Sequence, residues 1–254
     1  MSSLLEVSGV SVSFDGFKAI NNLSFRIGNP ELRAIIGPNG AGKTSLIRAA
    51  LGLQPPSSGT ALIDGQDTCA LSAADRARLI AYLPQTRPLA WPNQVRDVVA
   101  LGRFSHGATL GRLTGSDAVA VDRALADCDL THLADRSTDT LSGGELARVH
   151  CARAFATQAP LLVADEPTAA LDPRHQFRIL NLIKAFVDHG GGALLVLHDI
   201  ELAARYASRL IWMKDGQIVA DGTPAETLTS DRLADVYRIR ARLEGGRVIM
   251  DGAL

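Results

Sequence analysis

The chain has 254 residues, enough for one large domain or two small ones, and its 46% apolar and 21% charged residues are those of an ordinary soluble globule. A formal charge of −1 gives no electrostatic basis for holding nucleic acid or acidic lipid. Three cysteines, Cys69, Cys128 and Cys151, are widely spaced and odd in number, which argues against a metal pattern or a disulfide framework and for thiols in a reducing compartment.

Met1 to Leu5 is short and Glu6 follows at once, so no secretory leader is expected, and no apolar run reaches the ~18 residues of a membrane span. Leu4 to Phe14 and Leu23 to Ile27 alternate apolar and polar residues about a turn at Asp15-Gly16, which predicts strands with one covered face. Leu32 to Ile36 reads as a short buried strand. It runs into Gly37-Pro38-Asn39-Gly40-Ala41-Gly42-Lys43-Thr44, then into a helix from Ser45 to Leu51 with Gly52 as its stop. Gly, four residues, Gly-Lys-Thr between a strand and a helix is a P-loop. The glycines let backbone N–H groups turn inward toward phosphate oxygens, and the helix start adds its own N–H groups and positive dipole end. Lys43 supplies a point charge for the outer phosphates, and the Thr44 hydroxyl can sit on Mg2+.

Ala61 to Ile63 is a further strand, ended by Asp64-Gly65. A helix is predicted from Ser72, as N-cap, to Leu79, followed by a buried strand Ile80 to Leu83 that stops at Pro84-Gln85. From Thr86 to Gly115 the composition turns to proline, glycine and arginine, with one helical piece near Val95 to Leu101. Ser116 to Leu133 reads as a helix with Ser116 as a simple N-cap. A Leu141-Ser142-Gly143-Gly144-Glu145 turn opens another helix, Glu145 to Thr157, and is a second anion-binding helix start. Leu161 to Ala164 is an apolar strand ending at Asp165-Glu166. Asp172-Pro173 opens a long helix to about Asp188, stopped by Gly190 to Gly192. Ala193 to Leu197 is the next strand, ending at His198-Asp199, with a helix from Glu201 to Ser208. Leu210 to Met213 and Gln217 to Ala220 form a hairpin over Asp215-Gly216. Short helices near Pro224 and Ser230 and a short strand at Arg247 to Met250 complete the chain.

Strands alternating with helices argue for a parallel sheet, whose ligands bind beyond the carboxyl ends of the strands. The P-loop, Gln85, Asp165-Glu166 and His198 all stand just past such ends. An acidic pair there can divide its work: Asp165 holds Mg2+ through a water, and Glu166 takes a proton from attacking water. Gln85 can orient that water or bind Mg2+ through its side-chain oxygen, though a glutamine after proline is also a common loop residue. One nucleotide does not obviously reach both helix starts within a single copy.

These residues resemble the nucleotide-binding subunit of an ATP-binding cassette (ABC) transporter, over about Leu4 to Asp235. Gly37 to Thr44 is similar to the family's Walker A, and Leu141 to Glu145 to its signature motif, with Glu145 in place of the commoner glutamine. Leu161 to Glu166 resembles Walker B with its catalytic glutamate, Ala170 to Asp172 the D-loop, His198 the switch histidine and Gln85 the Q-loop. Phe14 falls where the family stacks a ring on adenine; otherwise it is a core residue of the sheet. Pro30-Glu31 replaces the usual Gly-Glu, and Ala147 the glutamine that usually follows the signature.

The resemblance implies a P-loop NTPase (RecA-like) α/β core with an N-terminal antiparallel β subdomain and an inserted α-helical subdomain. In these terms residues 1–86 and 157–254 form the core, and residues 87–156 the helical lobe that carries the signature and docks the membrane partner. It implies ATP and Mg2+, with nucleotide held by Phe14, Gly37 to Ser45 (Pro38, Asn39, Gly40, Ala41, Gly42, Lys43 and Thr44 included) and, from a second head-to-tail copy, by Ser142, Gly143, Gly144, Glu145 and Asp172. Metal falls to Thr44, Gln85 and Asp165, and catalysis to Glu166, His198 and Gln85. Transmembrane permease subunits and, indirectly, a substrate-binding protein are the implied partners, and nucleic acid is not. The implied place is the cytoplasmic face of the cell membrane. Val95 to Arg103, then Ser105-His106, resembles importers of iron chelates, haem and cobalamin; the plain alternative for Arg87, Arg96, Arg103 and Arg112 is a solvated face. The rival readings are a soluble ABC protein of translation or DNA repair, which usually has two cassettes or a coiled coil, and another P-loop enzyme such as a kinase, which has no use for Leu141 to Glu145.

Overall fold

A computed structural model of the chain describes residues 3–14, 16–86, 89, 91–109, 112–244 and 247–254, without the side chain of Arg247. Asp15 of the expected first turn and Arg87 lie outside them. Two compact units are formed, Met1–Ala70 with Gly192–Leu254, and Leu71–Gly191.

The first unit begins with β1 (Leu5–Phe14), β2 (Phe17–Ile27), β3 (Glu31–Ile36), α1 (Lys43–Ala50), β4 (Ser58–Ile63) and β5 (Gln66–Asp67). The second holds α2 (Ala73–Leu79), β6 (Ile80–Leu83), α3 (Val95–Ala100), α4 (Gly115–Asp127), α5 (Gly143–Ala156), β7 (Leu161–Asp165) and α6 (Pro173–Asp188). The chain then returns to the first through β8 (Gly192–Val196), α7 (Ile200–Tyr206), β9 (Arg209–Lys214), β10 (Gln217–Gly222), α8 (Pro224–Thr227), α9 (Ser230–Tyr237), β11 (Ile239–Glu244) and β12 (Arg247–Ala253).

In the first unit, β2, β1, β4 and β5 form an antiparallel sheet in that order. Leu5 and Val7 and, past a register shift, Val10 and Val12 are its buried row, each pair at the period of 2 of a strand with one covered face. The strand expected from Leu23 starts earlier, at Phe17. In the second sheet of this unit β3 pairs in parallel with β8 and β9, and β10 returns antiparallel to β9. Leu32, Ala34, Ile35 and Ile36 and all of Ala193 to Val196 are buried, as strands covered on both faces must be. The exception, Arg33, is matched by charge: it pairs with Glu31 at 2.8 Å and Asp221 at 2.9 Å. The Asp215-Gly216 hairpin forms as predicted, both residues at positive φ (47° and 74°). The tail is a full hairpin, β11 on β12, rather than one short strand.

In the second unit, β6 and β7 pair in parallel, and α3, α4 and α5 pack on one another through residues such as Val98, Val99, Val121, Leu125 and Val149. Ser72 caps α2 by accepting from the Asp75 amide. The α4 helix starts one residue before the expected Ser116, with Thr114 in the cap position and no side-chain cap. It stops at Asp127 because Asp129 turns to φ 51°, and residues 131–133 make only a 3-10 turn. Arg103 is no solvated residue: it is buried, donating from Nε to Asp117 at 2.8 Å and from Nη1 to the Ala156 carbonyl at 2.9 Å. Arg96 is more exposed and pairs with Asp122 at 2.6 Å.

Candidate nucleotide site

The P-loop leaves β3 at Gly37 and closes into α1 at Gly42, which caps the helix with no side-chain hydrogen bond. Gly42 is at φ 93°, and a Cβ there would lie 2.5 Å from the Ala19 carbonyl oxygen, so both backbone and neighbour require glycine. Lys43, only 7% exposed, folds back over the loop and donates from Nζ to the carbonyls of Gly37 (2.7 Å) and Pro38 (2.9 Å). No acidic side chain occupies the first turn of α1.

Parallel pairing sets His198 beside this loop. Ile35 pairs with Val196, the Leu197 amide donates to the Ile35 carbonyl at 3.2 Å, and two residues further the same register aligns Gly37 with exposed His198. Phe14 ends β1 opposite Phe17 and is 47% exposed, so it is not a core residue of the sheet. Tyr237 and Trp212, which the sequence does not single out, back the loop: Trp212 pairs with Ile36 on β9, and the Tyr237 ring meets it edge-on at 6.3 Å. Burial pushes the Tyr237 phenol up to about 12, with the Gly37 amide pulling the other way.

The same logic orders the acidic pair in the second unit. Leu83 pairs with Ala164, so two residues on Gln85 meets Glu166, and its Nε2 donates to Glu166 Oε2 at 2.6 Å. Glu166 sits at φ 52°, a left-handed conformation that turns the chain sharply after β7. Asp165, at the end of a wholly buried strand, is 1% exposed.

Ser142 starts α5 in a full capping box: its Oγ accepts from the Glu145 amide at 3.3 Å, and Glu145 Oε2 accepts from the Ser142 amide at 2.8 Å. The Ser142 amide and hydroxyl, as donors to the charged form, hold the Glu145 carboxyl below its ordinary range. A Ser-x-x-Glu spacing is itself the signal for this box. Asp172 caps α6 by accepting from the His175 amide at 2.9 Å, and that bond, with the ring of His175, lowers its carboxyl likewise. No group of three or more His, Cys, Asp or Glu side chains among the described residues could hold a metal alone. Thr44 in the first unit, and Gln85 and Asp165 in the second, each carry a side-chain oxygen, the ligand type that a hard cation such as Mg2+ takes.

Residues 20–169 match the family described as ABC transporter. The chain is 40% identical over 237 residues to the cobalamin import ATP-binding protein BtuD of Halobacterium salinarum, covering 93% of this chain and 59% of that protein. With the hemin import ATP-binding protein HmuV of Pseudomonas entomophila it shares 39% over 241 residues, 93% of each chain. Among solved structures, the ADP conformation of an ATP-binding cassette of an ABC transporter superposes with a TM-score of 0.84 at 25% identity, over 93% of this chain and 99% of that one. A dimeric cassette in a post-hydrolysis state with ADP and phosphate gives 0.75 at 26%, over 86% and 98%. The fold is therefore that of a P-loop NTPase, and the chain belongs to the ABC transporter ATP-binding family.

Proposed function

We propose that the chain is the ATP-hydrolysing subunit of an importer, and that two copies hold each ATP head to tail. The observation that carries this reading is the presence of two helix starts of one chemistry. One heads α1 behind the P-loop; the other, at Ser142-Gly143-Gly144, heads α5 in the other unit. Each offers N–H groups and a positive dipole end to an anion. The dimeric cassette with ADP and phosphate supports sharing them between copies.

In this mechanism the P-loop N–H groups of Gly37 and of Asn39 to Ser45, with the Lys43 ammonium, bind the β- and γ-phosphates, Pro38 shaping the loop without a donor of its own. Thr44, Asp165 and the Gln85 side-chain oxygen would hold Mg2+, which when bound offsets phosphate charge. Glu166 takes a proton from the water that attacks the γ-phosphorus in line, as the bond to the ADP oxygen breaks. The Gln85 amide, 2.6 Å from that carboxylate, orients it. His198 senses the γ-phosphate, Phe14 stacks on adenine, and Ser142, Gly143, Gly144, Glu145 and Asp172 complete the partner's site. Closure that depends on the γ-phosphate links hydrolysis to separation.

The relatives named for cobalamin and hemin import favour cobalamin or haem as cargo, and the resemblance over Val95 to Arg103 adds an iron chelate. Among the described residues no helix is long and apolar enough to cross a membrane, so separate permease chains would form the path. The subunit would lie on the cytoplasmic face of the membrane, docked through residues 87–156, with a substrate-binding protein delivering cargo to the permease. Glu166→Gln tests the core of the proposal. Turnover should fall by ~10²–10⁴ while ATP still binds, and an ATP-loaded dimer should accumulate in light scattering. Full turnover in the variant defeats the assignment. Co-purification with polytopic membrane chains supports transport, whereas ribosomes or DNA would point to a soluble switch.

A further inference from the structure

We propose that His175 fastens the Asp172 loop to the Ser142-Gly143-Gly144 turn, so that both engage the partner copy's nucleotide as one piece; this rests on the head-to-tail reading above. Asp172 holds His175 twice. One carboxylate oxygen caps the His175 amide at 2.9 Å, and both face the ring Nδ1, at 2.9 and 3.0 Å. A carboxylate only accepts, so Nδ1 carries the proton and the ring orientation is fixed. The far edge of the imidazole then lies on Gly144. A Cβ built there would fall 2.0 Å from the ring Cδ2 and 2.4 Å from Nε2, so the ring occupies the space a side chain would take. Gly144 thus has a reason to be glycine besides phosphate access.

The contact sits where it can matter. Gly144 is in the first turn of α5 and His175 in the first turn of α6. Further along, Asp129 joins the same two helices: Arg148 of α5 donates to the Asp129 carbonyl at 2.6 Å, and Arg178 of α6 pairs with its carboxylate. Near their far ends the Phe155 and Phe186 rings stack at 5.7 Å, so the helix pair is braced at three levels, of which the His175 level lies at the starts that face the partner's ATP. Removing the ring should loosen those starts and leave the Asp129 brace, and with it the packing of α5 on α6, in place. His175 is a positioning residue: it acts through Asp172 and Gly144.

The test compares His175→Ala and His175→Asn with wild type in ATP turnover, in ATP-driven pairing by light scattering, and in nucleotide affinity of the dilute single copy. His175→Ala should lower kcat roughly tenfold and weaken pairing, as expected for loss of one charge-assisted bond. Single-copy affinity should stay within about twofold, because the P-loop belongs to the other unit. The Asn amide nitrogen can replace Nδ1 toward Asp172, so His175→Asn should recover most of the lost kcat. Wild-type kcat in His175→Ala, an Asn variant no better than Ala, or a parallel loss of single-copy affinity overturns the proposal. A wild-type chain that neither pairs on ATP nor hydrolyses it overturns instead the function beneath it.

Discussion

Replacing Lys43 by Met isolates the charge at the heart of the P-loop. The side chain is nearly buried, so an alanine would add a cavity to the loss of charge, whereas methionine is close to the lysine stem in volume. Without ligand the ammonium already donates to two carbonyls, at 2.7 and 2.9 Å. Binding ATP exchanges those bonds for phosphate contacts, so the full strength of two charge-assisted bonds is not gained. One such bond net, ~1.5–3 kcal/mol, is the appropriate scale, and it corresponds to about a 10- to 150-fold weaker Kd. The same substitution leaves the Gly37 and Pro38 carbonyls short of a donor. Loss of ~1–2 kcal/mol in the ligand-free chain would lower Tm by roughly 2–8 °C. Calorimetric titration with ATP and a thermal scan measure both quantities. Unchanged affinity would refute the role of Lys43, and a large fall in Tm with unchanged affinity would assign the residue to structure alone.

Thiol reagents give a second check: Cys69 is exposed and should react quickly, while Cys128 and Cys151 are buried and should react only on unfolding. Burial drives the Cys128 thiol far above its ordinary value, which removes the reactive thiolate at neutral pH. The capping box at α5 should weaken in acid. The folded Glu145 pKa lies below its ordinary 4.5, so its contribution is complete above about that pH and is lost as the pH falls through the folded value. Amide exchange at residues 143–146 should accelerate there in wild type and already be fast at neutral pH in Ser142→Ala; exchange independent of both changes would contradict the cap.

Much of the architecture was legible because local signals and tertiary demand coincide. Asp172-Pro173 starts a helix, Asp215-Gly216 makes a tight hairpin, and a Gly-rich run between a strand and a helix forms the P-loop. The misread end of α4 depends on a single positive φ at Asp129, a residue type that also occurs inside helices. A solvated face stood as the plain alternative for Arg103 because its partners, Asp117 and the Ala156 carbonyl, lie 14 and 53 residues away. The bond from Gln85 to Glu166 spans 81 residues and follows only from the register of β6 on β7. The place of His175 on Gly144 needs two helices packed side by side, and no spacing in the sequence encodes that.

The alignments of Gln85 with Glu166 and of His198 with Gly37 both fall two positions past the last paired residues of parallel ladders. Their accuracy is thus inherited from main-chain spacing, not from loop conformation. Inserting one amino acid within Ile80–Leu83 would carry the glutamine ~3.3 Å along and swing it to the opposite side of the ribbon, whereas lengthening the segment that follows would leave it untouched.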